Sequence, residues 1–103
     1  MLAEATFKAV NVGTAILGVD GISAAGGATT HDEVEARTNR AMVDHAQRVI
    51  VVTDGSKVGR VTLARMADPE QIDVLITDTS ADAAELERIR AAGVTVHVVE
   101  PRR

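Results

Sequence analysis

An acid, a hydroxyl and an amine stand together in Asp-Gly-Ser-Lys, residues 54–57, directly after an apolar run. A plain turn needs only a glycine and a polar residue. Asp54 can accept hydrogen bonds, whereas Ser56 and Lys57 can donate them to an anion. The segment is therefore a candidate wall of a binding site. The alternative interpretation is that Asp54 only shapes a turn and that Lys57 is a surface cation.

A second polar stretch begins at Asp20 and Gly21 and continues through Gly26-Gly27 to Thr29 and Thr30. Small residues that open a helix let backbone N–H groups approach an anion, so we predict that residues 26–30 are a loop that opens a helix and forms a phosphate or oxyanion cradle. The stretch is neither a Walker loop nor a dinucleotide fingerprint. The simpler alternative is that Asp20 starts a turn.

The histidines and the missing cysteines argue against metal and nucleophilic chemistry. His31, His45 and His97 lack metal-ligand spacing, and there is no cysteine. No Ser-His-Asp arrangement can be argued from spacing. We therefore predict no catalytic residue, no metal and no cofactor.

Alternating strand and helix patterns predict an α/β fold with a parallel sheet. Four nearly continuous apolar runs are typical of strands that are covered on both faces. These runs are residues 14–19, 48–53, 73–78 and 94–99. Helical patterns cover residues 2–10, 30–47 (with a capping box from Thr30 to Glu33), 61–67 and 81–93. Such sheets bind ligands at the carboxyl ends of their strands, which is where the polar stretches above lie.

Composition predicts a single domain over residues 1–103. No apolar run approaches the roughly 20 residues of a membrane helix, and the N-terminus does not read as a signal peptide, so we expect a cytoplasmic protein with no membrane partner. The net charge of −4 argues against this chain binding a nucleic-acid backbone by itself, because phosphate binding needs a positive surface.

Several motifs together resemble the C-terminal effector-sensing domain of DeoR-type bacterial transcriptional repressors. The motifs are LGVDGIS, GGATTHDEVEARTNRAMVDHAQRVIVVTDGSKVGRVTLARMA, DVLITD and GVTVHVVE, and the similarity covers about residues 13–100. The resemblance implies a Rossmann-like three-layer fold with a mainly parallel sheet of about four strands, related to sugar-phosphate isomerases. It also implies a phosphorylated sugar or a relative as the effector.

The resemblance gives the polar residues roles in one sugar-phosphate pocket. Asp54 would accept from sugar hydroxyls, Ser56 and Lys57 would meet the phosphate, and Asp20 would face them from the neighbouring loop. The predicted ligand-binding residues are Asp20, Gly21, Gly27, Thr29, Thr30, Asp54, Ser56 and Lys57.

Two departures from the family pattern bear on function. Residues 1–12 are too short for the winged helix-turn-helix of a complete repressor, and the family's earlier strands and phosphate loop precede the point where this sequence starts. We therefore expect a partial sensor domain that meets DNA only through a helix-turn-helix absent from this chain. Because the missing strands would cover part of the sheet, we also expect a homo-oligomer.

Ribose-5-phosphate isomerase is similar over the same stretch, which leaves an enzyme as the second hypothesis. Asp20 matches one of that enzyme's acids, but Leu17 stands where the other would be and Ala25 replaces a lysine. Asn39 stands at the position of the general base, and an amide cannot abstract a proton. A third hypothesis is a remnant that only folds and self-associates.

Overall fold

The structure, a computed structural model, describes residues 12–100, and the predicted helix over residues 2–10 lies outside them. The strands are β1 (Val12–Gly18), β2 (Gly21–Ser23), β3 (Gly27–Thr30), β4 (Ala46–Val52), β5 (Ala64–Ala67), β6 (Val74–Asp78) and β7 (Thr95–Val99). The helices are α1 (Glu33–Asp44) and α2 (Ala83–Ala91), with short 3₁₀ turns at Gly55–Lys57 and Pro69–Gln71.

Strands β1, β4, β6 and β7 form the predicted parallel sheet, in that spatial order. Because the order follows the sequence and crossovers are right-handed, both helices lie on the same face of the sheet. That face carries Leu17, Val51 and Leu75, each at most 2% exposed. The described residues thus confirm the α/β, Rossmann-like class and supply two of its layers.

The opposite face of the sheet carries apolar side chains that are open to solvent. Ile16 on β1 is 65% exposed, Val52 on β4 is 44% exposed, and Val99 on β7 is 52% exposed. The parallel register places these three side chains on one face, and β1 is an edge strand of the sheet in the described residues. The crossovers between β1 and β7 leave this face uncovered.

A second, three-stranded sheet, β2-β3-β5, corrects the predicted glycine loop. Residues 27–30 do not open a helix but form β3, which pairs antiparallel with β2 and β5. Gly27 has φ of +70°, and a Cβ there would lie 2.1 Å from the Ala67 carbonyl oxygen. Glycine is therefore needed for the close approach of two strands. The predicted loop that opens a helix is wrong, whereas the predicted binding of an anion by these residues stays a prediction.

The helix predicted over residues 61–67 is also wrong, because residues 64–67 form β5. Met66 and Ala67 are fully buried there, and β5 pairs with β3. Edge pairing and burial outweigh the helix preference of Leu, Ala, Arg and Met, since propensity is worth only tenths of a kcal/mol per residue.

Helix α1 begins two residues later than its predicted capping box. Asp32 is the N-cap, and its carboxylate accepts from the Val34 N–H at 2.8 Å and the Glu35 N–H at 3.1 Å. Thr30 cannot serve as the cap because it ends β3 and its hydroxyl donates to Asp20. Helix α2 agrees with its prediction in kind, running from an Asp82 cap to a left-handed Gly93.

Candidate functional site

Three acids stand at the carboxyl edge of the parallel sheet. Asp20 follows β1, Asp54 follows β4, and Asp78 ends β6. Because the strands are parallel, these ends share one edge, where Rossmann-like folds bind ligands. Asp78 accepts from the Ser80 N–H at 2.9 Å and from the Ser80 hydroxyl, so it shapes the turn into α2.

Asp20 is a half-buried carboxylate held in place by two donors. The Thr30 hydroxyl and the His31 N–H both donate to its Oδ2, each at 2.9 Å. The His31 N–H, then the Thr30 hydroxyl, then the charges of His31 and Lys57 hold the pKa of Asp20 below its usual 3.8. Asp20 is therefore a fixed anionic acceptor at neutral pH.

The Asp54–Lys57 segment folds into a 3₁₀ turn that is stabilised by its own side chains. Asp54 accepts from the Ser56 N–H at 2.9 Å and from the Ser56 hydroxyl. The Ser56 hydroxyl first, and then its N–H, lower the pKa of Asp54, which the charge of Lys57 lowers further and the charge of Asp78 opposes. Asp54 thus shapes the turn while remaining exposed at the sheet edge.

Lys57, in the turn after β4, is a cation whose charge acts on both acids. It is half-buried, and its charge lowers the pKa of Asp20 and of Asp54. In residues 12–100 its ammonium forms no hydrogen bond or ion pair. Its three N–H donors are therefore available to a ligand.

Gly21, Gly27 and Thr29 lie inside the small sheet and hold it together. The Thr29 hydroxyl donates to the Gly21 carbonyl oxygen at 3.3 Å and accepts from the Thr62 N–H at 3.0 Å. A Cβ on Gly21 would lie 2.5 Å from the Arg60 carbonyl oxygen. These contacts explain the residue types without a ligand, and the predicted ligand contacts of these three residues stay predictions.

Two cavities open at the carboxyl edge of the parallel sheet, and each is lined by different members of the predicted ligand-binding set. The first, of about 450 Å³, lies between the end of β1 and helix α1, and Asp20 and Thr30 line it. The second, of about 390 Å³, lies beyond β4, β6 and β7, and Asp54 lines it. Ser56 and Lys57 follow Asp54 in the adjoining turn.

The first cavity also contains two side chains that the predicted set omitted. Glu35 and Asn39 of α1 line it together with Gly18. The sequence signal for them was their spacing of four residues, which places both on one face of a helix.

The arrangement suits the binding of a small polar molecule. Among residues 12–100, no three His, Asp or Glu side chains are grouped so that they could hold a metal ion. No helix in that range is long and apolar enough to cross a membrane. The chain folds as a Rossmann-like α/β domain, and the polar carboxyl edge of its parallel sheet is the candidate ligand site.

Comparison with known proteins identifies the family. The profile of the DeoR C terminal sensor domain matches residues 1–79. A protein of Escherichia coli O157:H7 described as an aga operon transcriptional repressor is 43% identical over 94% of this chain and 36% of its own length. The HTH-type transcriptional regulator GlpR of Haloferax volcanii is 40% identical over 91% of this chain and 37% of its own. The Glycerol-3-phosphate regulon repressor of Escherichia coli K12 is 36% identical over 61% of this chain and 25% of its own.

The chain belongs to the DeoR C-terminal sensor domain family. It spans about a third of the length of the first two of these relatives. All three relatives are transcriptional regulators or repressors by name.

Proposed function

We propose that this chain is the effector-sensing part of a DeoR-like transcriptional regulator and that it binds a phosphorylated sugar or a related polyol phosphate. The observation that carries the proposal is Lys57, a half-buried ammonium in the turn that Asp54 caps, whose charge lowers the pKa of Asp20 and of Asp54 and which forms no hydrogen bond or ion pair in residues 12–100.

The chemistry of the edge matches both halves of such a ligand. A phosphate oxygen accepts from an ammonium, and these charged hydrogen bonds are shorter and stronger than neutral ones. Carboxylates accept from hydroxyls, and both Asp20 and Asp54 are held in their ionised form. A sugar phosphate presents one anion and several hydroxyl donors, whereas a purely apolar metabolite would leave the Lys57 ammonium without an acceptor.

DNA recognition belongs to a different part of a DeoR-like regulator. The two helices in residues 12–100 are separated by three strands, so they form no helix-turn-helix. The sequence is also net negative, at −4. We therefore assign sensing to this chain and assign DNA contact to a helix-turn-helix outside it.

Lys57→Ala tests the proposal. A charged hydrogen bond contributes about 1.5–3 kcal/mol, so the variant should bind polyol phosphates about tenfold or more weakly. The measurement is calorimetric titration with glycerol 3-phosphate, ribose 5-phosphate and glucose 6-phosphate. Arg48→Ala removes the same charge at the amino end of β4, where Arg48 is exposed, and is the matched control.

Wild-type protein that binds none of these phosphates would overturn the proposal. Binding that Lys57→Ala and Arg48→Ala weaken equally would show that only net charge matters, and it would remove Lys57 from the site.

We further propose that the chain associates with a second copy of itself through the open sheet face of Ile16, Val52 and Val99. A two-fold axis brings the same patch of both copies together, so one apolar face suffices for a closed dimer.

A further inference from the structure

We propose that the cavity between β1 and α1 is the subsite for the hydroxyl-bearing part of the ligand, and that Glu35 and Asn39 determine which hydroxyl pattern is accepted. The inference rests on the proposed binding of a polyol phosphate and adds the residues that would distinguish one such ligand from another.

The cavity has the size and the walls of a small-molecule subsite. At about 450 Å³ it falls within the roughly 300–1,000 Å³ of typical ligand pockets. Asp20 and Thr30 line one side, and Glu35 and Asn39 line the other. The last two lie one turn apart on α1, so both present the same helix face to the cavity.

The polar atoms of the cavity are mainly acceptors. The Thr30 hydroxyl donates its proton to Asp20. Asn39 Nδ2 donates to the Met66 sulfur at 3.2 Å, so Asn39 keeps Oδ1 as an acceptor and one further N–H as a donor. The Glu35 carboxylate accepts no hydrogen bond from another side chain or backbone group in residues 12–100. Acceptors need donors, and the hydroxyls of a polyol supply several on adjacent carbons.

Charge decides which end of the ligand enters this cavity. Asp20 and Glu35 both carry carboxylates on its lining, and like charges in a partly enclosed site repel a phosphate. The phosphate is therefore expected outside the cavity, at Lys57. Asp20 lies between the cavity and the Lys57 turn, because it lines the cavity and the charge of Lys57 lowers its pKa.

The test compares polyol phosphates with a phosphate monoester that has no hydroxyl on its carbon chain, and glycerol 3-phosphate differs from it only in hydroxyls. Wild-type protein is titrated with glycerol 3-phosphate, ribose 5-phosphate and glucose 6-phosphate, each beside propyl phosphate, which has no hydroxyl on its carbon chain. We expect the wild type to prefer at least one polyol phosphate over propyl phosphate. Glu35→Ala should reduce that preference about tenfold, and Asn39→Ala should reduce it several-fold. Lys57→Ala should weaken propyl phosphate and polyol phosphates alike.

Glu33→Ala is the matched control, since Glu33 is also an exposed acid in the first turn of α1 but does not line the cavity. Glu35→Gln guards against a folding artefact, because it keeps the shape and should lose only part of the preference. A preference that survives both Glu35→Ala and Asn39→Ala overturns this inference and leaves the proposed function standing. A wild type that binds no phosphate overturns the proposed function and the inference with it.

Discussion

The Thr30 hydroxyl donates a hydrogen bond to the Asp20 carboxylate at 2.9 Å, which joins the end of β3 to the loop after β1. The small antiparallel sheet is thereby fastened to the carboxyl edge of the parallel sheet, next to the first cavity. The same carboxylate oxygen also accepts from the His31 N–H. One acid therefore fixes the wall of the candidate site and remains charged for a ligand.

Asp20→Asn should destabilise the protein at neutral pH and much less in acid. The folded-state pKa of Asp20 lies below its unfolded value of 3.8, so its charge stabilises the fold above that value and ceases to do so as the pH falls through the folded pKa. The gap in Tm between wild type and Asp20→Asn should therefore be largest at pH 6–7 and narrow toward pH 3. Thermal melts followed by circular dichroism at each pH provide the measurement.

Thr30→Val supplies the control for that experiment. It removes the donating hydroxyl from a buried, nearly isosteric side chain. In the Thr30→Val background the neutral-pH cost of Asp20→Asn should shrink, because the two changes remove one shared interaction. A gap that is the same at every pH would contradict the role given to the charge.

The parallel sheet was predictable from sequence, whereas the small sheet was not. Continuous apolar runs are a strong local signal for strands of a parallel sheet, so β1, β4, β6 and β7 were each predicted. Strands β2, β3 and β5 are three or four residues long and pair with one another and with the segment around Val58 and Gly59. Their pairing is a tertiary effect, and the local sequence of β5 favours a helix instead.

Gly55→Ala should destabilise the turn that presents Lys57. A Cβ at Gly55 would lie 2.2 Å from the Ala81 backbone nitrogen and 2.4 Å from the Ser80 hydroxyl oxygen, so the approach to α2 must shift. Overpacking of this kind costs about 1–3 kcal/mol in the free energy of unfolding. Urea titration measures it.

Gly13→Ala is the comparison for Gly55→Ala, because a Cβ on Gly13 meets nothing within 4 Å. Its effect on the free energy of unfolding should stay within about 0.5 kcal/mol. Equal effects at the two glycines would show that the contact with Ala81 and Ser80 does not constrain this turn.

Glu85→Ala should lower the free energy of unfolding more than Glu87→Ala does. Glu85 on α2 accepts from the Ala24 N–H at 2.8 Å and from Arg88 at 2.9 Å, and its side chain is only 12% exposed. Its loss leaves the Ala24 N–H, in the β2–β3 turn, without that acceptor, which costs about 1–3 kcal/mol.

The control is Glu87→Ala, because Glu87 pairs with Arg90 while its side chain is 67% exposed. Exposed ion pairs of this kind contribute about 0–1 kcal/mol. Chemical denaturation of both variants measures their free energies of unfolding. An equal loss of stability in Glu87→Ala and Glu85→Ala would argue against a stabilising hydrogen bond between α2 and the β2–β3 turn.

The candidate site was predicted only in part. Acids after parallel strands identified Asp20 and Asp54, because the carboxyl edge is a property of the fold. The cavity lining contributed by α1 depends on how the helix lies against β1, which local patterns do not specify. Glu35 was therefore missed, while Thr29 was included although its hydroxyl is engaged within the small sheet.

Purified protein should not interconvert ribose 5-phosphate and ribulose 5-phosphate. Asn39 lines the cavity where the resemblance to the isomerase would put a general base, and its amide has no basic nitrogen. A coupled assay or proton exchange at the substrate carbon measures the reaction. Turnover above the buffer rate that Asp20→Asn abolishes would replace the sensor proposal with an enzyme.

The last prediction concerns association through the open sheet face. Ile16, Val52 and Val99 expose apolar surface there, at a cost of about 25 cal/mol for each Å² left in water. Sedimentation equilibrium at low micromolar concentration should give a dimer. Ile16→Asp should weaken it by about tenfold or more, because a charge buried in an apolar interface lacks a partner. Leu63→Asp makes a comparable change at a side chain 69% exposed that lies outside the parallel sheet, and it should leave the dimer intact. A monomeric wild type with one cooperative thermal transition would show that the face is tolerated in water, and dissociation by Leu63→Asp but not by Ile16→Asp would place the interface beside β5 instead.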